Sequence, residues 1–179
     1  MTLDEAKSLL SNSNIPFDIC EFENEAEYLL HTTMFPNTKN VKSCKIIVII
    51  IKSNNGKKDI ELQFNAIDNA FKFEELRFGD FCFEMFDYNE AMLADDLVDR
   101  IKKIQSGNFV IIAANNIIKK RWLGDACFDL NDDDDVFGKS GYEKAMRKIK
   151  KPKGIISKLL KSKIQYDIYD WNTYQCIIK

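Results

Sequence analysis

Four consecutive carboxylates, Asp132 to Asp135, are the residues of this chain whose type and spacing most invite a chemical reading. A calcium loop of the EF-hand kind needs oxygen ligands at positions 1, 3 and 5, glycine at 6 and glutamate at 12. Counted from Asp132, Asp134 and Glu143 fall at positions 3 and 12, but Val136 and Phe137 occupy 5 and 6. Counted from Asp129, Asn131 and Asp133 fit, but Asp134 takes the glycine position and Ser140 the twelfth. Neither register makes the loop. The expectation is a solvated acidic turn, with no metal and no cofactor.

Other chemistry finds less support. The one histidine, His31, lies four residues after Glu27, and the pattern predicts an exposed pair on a helix face. The five cysteines (Cys20, Cys44, Cys82, Cys127, Cys176) are odd in number and scattered, without a Cys-x-x-Cys pair. That spacing suits neither a disulfide framework nor a zinc cluster. Glu84 sits among Phe81–Phe86, where burial would raise its pKa, yet an alternating strand with one wet face turns it outward. No nucleophile elbow, phosphate-binding glycine loop or paired-histidine motif occurs. Carboxylates are plentiful enough that an enzyme without a standard motif stays in the ranking, in third place.

The second charged feature follows the first directly. From Lys139 to Lys163 there are ten Lys/Arg and one acid, Glu143, whereas residues 1–138 hold fifteen bases and twenty-five acids. The formal net charge of −2 therefore hides a strong separation, which speaks of electrostatic association. With Tyr142, Ala145, Met146 and Ile149 inward, Lys144, Arg147, Lys148 and Lys151 share the outer face of a helix. Such a stripe could neutralise phosphates. It lacks interleaved aromatics, and an acidic body would repel a polyanion, so nucleic acid ranks second among partners. The bland alternative is a solvated helix face. Twenty-two Lys against four Arg, with fifteen Asn, also fits an A/T-rich genome irrespective of function. Ile155, Ile156, Leu159 and Leu160 suggest one more short helix, whose aliphatics serve either as core or as contact with an anionic membrane.

The elements that must position these residues are legible in part. Thr2 and Glu5 have capping-box spacing before Ala6, Leu9 and Leu10. Phe17–Phe22 alternates as a strand, and Asn24 with Glu27 caps a second helix predicted to turn Ala26, Leu29, Leu30 and Met34 inward before Pro36. Cys44–Lys52 is apolar on both faces, as in a buried strand. Asn55-Gly56 signals a type I′ hairpin into the alternating Asp59–Phe64. Phe71–Phe73 and Phe81–Phe86 continue the β pattern. Asn89 caps the clearest long helix, with Leu93, Leu97, Val98, Ile101 and Ile104 on one stripe and Gly107 at its end. Phe109–Ala114 is a buried strand and Ala126–Phe128 a short one. Ile164–Asp170 and Tyr174–Ile178 close the chain as a hairpin around Asn172.

Helices interspersed with strands, without βαβ repetition, predict an α+β class: a mixed or mainly antiparallel sheet packed by several short helices. The 179 residues are expected to form a single domain whose weakest seam lies at 131–141. No leader is visible at the amino terminus and the longest aliphatic run, Ile46–Ile51, is too short to span a bilayer, so a cytoplasmic protein with reduced thiols is expected. The leading function by elimination is a non-enzymatic protein-binding module that captures a basic partner. Asp132, Asp133, Asp134 and Asp135 would be its contacts, with Trp122 and Trp171 as anchors unless they belong to the core. This general character is similar to that of bacterial immunity proteins, which occlude toxin domains, although no residue motif carries the likeness.

Overall fold

A computed structural model describes residues 1–32, 41–68, 70–83, 90–150 and 163–179, without the side chains of 32, 90–93 and 95. Outside that set lie Met34, Pro36, Glu84, Phe86, Asn89, Lys151 and the Ile155–Leu160 segment. The described residues form four helices and nine strands in two antiparallel sheets, an α+β fold. The chain divides into two compact units, Met1–Lys102 and Lys103–Lys179. None of the described helices is long and apolar enough to cross a membrane.

The first unit opens with α1 (Leu3–Asn12). Its capping box is present: Thr2 N donates to Glu5 Oε2 at 2.6 Å, and Glu5 N donates to Thr2 Oγ1. Then follow β1 (Asp18–Phe22), α2 (Glu25–Thr32), β2 (Ile46–Ile51), β3 (Ile60–Ile67), β4 (Ala70–Phe78) and β5 (Phe81–Phe83), and the sheet keeps this sequential order. Ile46 to Ile49 are all buried, as an aliphatic strand with two covered faces requires. The β2–β3 hairpin forms, but not through a type I′ turn. Gly56 has φ +65°, whereas Asn55 stays out of the left-handed region. Its carboxamide instead accepts from Lys57 N and Lys58 N at 2.8 Å, which makes an Asx turn inside a longer loop.

Helix α2 also differs from expectation. Leu30 is 66% exposed, and the side chain driven inward is Tyr28, which packs with Phe22, Ile46 and Val48. Aliphatic spacing alone misplaced the helix face because a tyrosine can bury its ring once its hydroxyl finds a partner. The carboxylate of Glu27 is drawn back to Glu23 N at 2.8 Å, while His31 tilts against the Phe22 ring.

Helix α3 (Glu90–Gln105) buries Leu97, Val98, Ile101 and Ile104, in line with its stripe. The second unit comprises β6 (Phe109–Asn116), β7 (Arg121–Asp129), α4 (Lys139–Lys150), β8 (Ile164–Tyr169) and β9 (Tyr174–Ile178). Its strand order is β7-β6-β8-β9, which leaves β7 on an edge. Strand β7 is much longer than Ala126–Phe128, because ladder bonds to β6 outweigh the polar character of its first half. Met146 and Ile149 of α4 pack with Val110, Ile112, Phe128 and Ile168, and Tyr142 and Ala145 close the same cluster.

Candidate acidic docking loop

The acidic segment is a tightly tied turn joining β7 to α4. Asp129 N donates to Phe137 O at 2.8 Å, and Lys139 N donates to Asp132 O at 2.6 Å, which closes the loop at its base. Short side chains then bind the backbone two or three residues onward. Asp129 Oδ1 accepts from Asn131 N at 2.9 Å, and Asp132 Oδ1 accepts from Asp134 N at 3.0 Å. Asp134 Oδ1 accepts from Val136 N and, at 3.1 Å, from Phe137 N. These bonds hold the Asp134 carboxyl below its ordinary pKa, the Val136 amide contributing most and the Phe137 amide next.

Two glycines let α4 sit against this loop. A Cβ on Gly138 would lie 2.5 Å from Asp134 N, and one on Gly141 would lie 2.5 Å from the Val136 carbonyl carbon, with the carbonyl oxygens nearer still. The loop is therefore pinned from both sides. The consequence is visible at its tip: Val136 and Phe137 are each 60% exposed. With their amides tied to Asp134, they cannot fold back without losing those bonds.

Of the four carboxylates, Asp132 and Asp134 turn onto backbone amides. Asp135 meets Lys144 Nζ at 2.9 Å, and Asp133 is exposed. The acidic turn and the lysine stripe, rivals as partner sites in the sequence, thus partly neutralise each other. Arg147 Nε donates to Glu143 O at 3.3 Å, Lys148 is exposed on α4, and Lys151 lies outside the described residues. Among the described residues no three His, Cys, Asp or Glu side chains gather so as to hold a metal ion. The tryptophans part company. Trp171 is 8% exposed and belongs to the interior, whereas Trp122 is 56% exposed near the start of the edge strand β7. Phe137 and Val136 escaped the sequence reading, although two large apolar residues between an acidic run and a glycine were a usable signal.

The first unit holds a polar row that sequence spacing could not show. Antiparallel register sets Glu61 opposite Arg77 and Arg77 opposite Cys82. Tyr28 Oη donates to Glu61 Oε2 at 2.9 Å, and burial pushes both the Glu61 carboxyl and the Tyr28 phenol above their ordinary values. Arg77 Nε lies 2.7 Å from Glu75 Oε1. Cys82 Sγ donates to Glu75 Oε2, and partial burial together with that carboxylate pushes the thiol up to about 12. A cavity of about 190 Å3 lies beside this row, lined by Tyr28, His31, Lys52, Lys57 and Glu61 among others. Its Lys52 and Lys58 are held by Asp59 at 2.9 Å and Asp80 at 2.6 Å. The row is an interlocked set of contacts in which Tyr28 donates to Glu61, Cys82 donates to Glu75 and Arg77 is ion-paired with Glu75.

No protein-family model, curated protein or solved structure matches this chain. The functional reading therefore rests on this geometry.

Proposed function

We propose that the chain is a non-enzymatic, cytosolic protein-binding module that captures a basic partner through the Asp132–Phe137 loop. The observation that carries this reading is the pair Val136 and Phe137, held outward at 60% exposure on a loop fastened at both ends. An exposed aromatic on a floppy turn collapses or loses entropy on binding; one on a pre-organised turn has met that cost in folding. Burying Phe137 and Val136 in a partner's pocket is worth roughly 1.5–3 kcal/mol each. Asp133 and Asp135 beside them favour a cationic rim and raise the encounter rate. Lys144, engaged by Asp135, weakens the case for the α4 stripe as a phosphate reader.

The test compares immobilised wild-type chain with V136S/F137S in capture from source lysate at moderate salt after nuclease treatment. A stoichiometric basic protein retained by wild type and lost by the variant supports the reading. Capture of the same protein by both, or of nucleic acid alone, overturns it.

A further inference from the structure

The tip of the β6–β7 hairpin combines three cations with three large apolar side chains in six consecutive residues, Ile118 to Leu123. Lys119, Lys120 and Arg121 are exposed, and among the described residues none of their charged groups enters an ion pair. Ile118 and Trp122 are each 56% exposed, and Leu123, next to Trp122, is 40% exposed.

The backbone arranges this display. Asn116 Oδ1 accepts from Lys119 N at 2.8 Å, and Lys120 adopts φ +47°, which together fix a tight reversal. Beyond it the register slips: Ala114 faces Gly124, Asn115 faces Trp122, and Leu123 is the extra residue of a bulge. A regular strand would hide every second side chain. The bulge breaks that alternation between Trp122 and Leu123, and Arg121, Trp122 and Leu123 are exposed in succession. The first strand residues lie on an edge of the described sheet.

We infer that this hairpin tip docks the chain reversibly on an anionic lipid surface. Tryptophan favours the boundary between headgroups and acyl chains, aliphatic side chains enter below it, and Lys/Arg stems reach back to the phosphates. A convex tip carrying two aliphatic residues and one ring suits a bilayer better than a single nucleic-acid strand, which needs a groove with successive stacking platforms. The acidic loop does not oppose docking. Trp122 and Asp129 are seven residues apart on β7, roughly 23 Å, which exceeds the Debye length of about 8 Å at physiological salt.

The experiment is sedimentation of the full chain with phosphatidylcholine vesicles, with and without phosphatidylserine. Brominated lipid serves to quench tryptophan. The expected result is binding only to the anionic vesicles, weakened by salt, with quenching confined to one exposed tryptophan. At roughly fivefold per cation, K119Q/K120Q/R121Q should lower the partition coefficient about a hundredfold. W122S/L123S should remove the quenching while keeping the wild-type circular dichroism. Equal binding to both vesicle types, full binding by either variant, or no binding at all overturns the inference. So does lipid-independent sedimentation, which would mark self-association, or a preference for single-stranded RNA over vesicles.

Discussion

Replacing Gly141 by alanine should destabilise the second unit, although ordinary helix propensity argues the opposite. In an exposed helix the change would stabilise by about 1 kcal/mol. At this position the new methyl lies 2.5 Å from the Val136 carbonyl carbon, and the atoms it meets are backbone, with no rotamer to yield. Forcing a methylene-sized group into a packed site costs typically about 1–3 kcal/mol, and an immovable neighbour puts this case at the upper end. The net expectation is a loss of roughly 1–2 kcal/mol after the propensity gain is subtracted. Both tryptophans lie in residues 103–179, and Trp171 is buried there, so its fluorescence follows the unfolding of this unit. A urea titration should show the midpoint lowered by roughly 0.5–1 M at unchanged slope. The exposed K148A, on the same helix, should move by less than about a quarter of that. A G141A midpoint equal to or above wild type would refute the reasoning, since it would mean that the loop gives way freely.

Two further outcomes follow from the same geometry. Asp134→Ala should speed hydrogen exchange at the Val136 and Phe137 amides while leaving the α4 core amides unchanged. In wild type the same acceleration should appear in acid, because the contribution of a depressed carboxyl is present above its unfolded pKa and fades as pH falls through its lowered folded value. Glu61→Gln should be at least as stable as wild type near neutral pH, since burying the ionised carboxylate is costly there and Tyr28 can still donate to the amide oxygen. A raised carboxyl favours the folded state most below its unfolded pKa and loses that advantage as pH rises through the folded value; the gap to wild type in urea midpoint, followed by circular dichroism, should therefore close in acid, and a gap that widens would contradict the assignment.

Elements with a local cause were legible in the sequence. Thr2 and Glu5 announce a helix start because both partners lie within one turn, and Ile46–Ile51 announces a doubly covered strand because no other use suits six aliphatics. The stripe of α3 and the closing hairpin of β8 and β9 belong to the same group. What escaped depends on groups far apart in the chain. Tyr28 is inward because Glu61, thirty-three residues on, accepts a hydrogen bond from its hydroxyl. Phe137 is outward because Gly138 and Gly141 bring a helix onto the turn, a fact of steric clearance that hydropathy cannot express. The acidic run itself was visible. Its tie to Lys144 was not, because an ion pair across nine residues has no periodic trace.

The pinched turn between β7 and α4 also has a bearing on ancestry. A core of Ile, Val and Leu can drift through many combinations while keeping its volume, which erodes similarity between distant relatives. The turn cannot drift in that way: a side chain at residue 138 or 141 collides with backbone, and the residue at 134 must offer an oxygen to two amides. A descendant that keeps this loop must keep two glycines three residues apart, with a short acceptor four residues before the first. That spacing, more than any stretch of the hydrophobic interior, is the mark by which separated branches of this lineage would know one another.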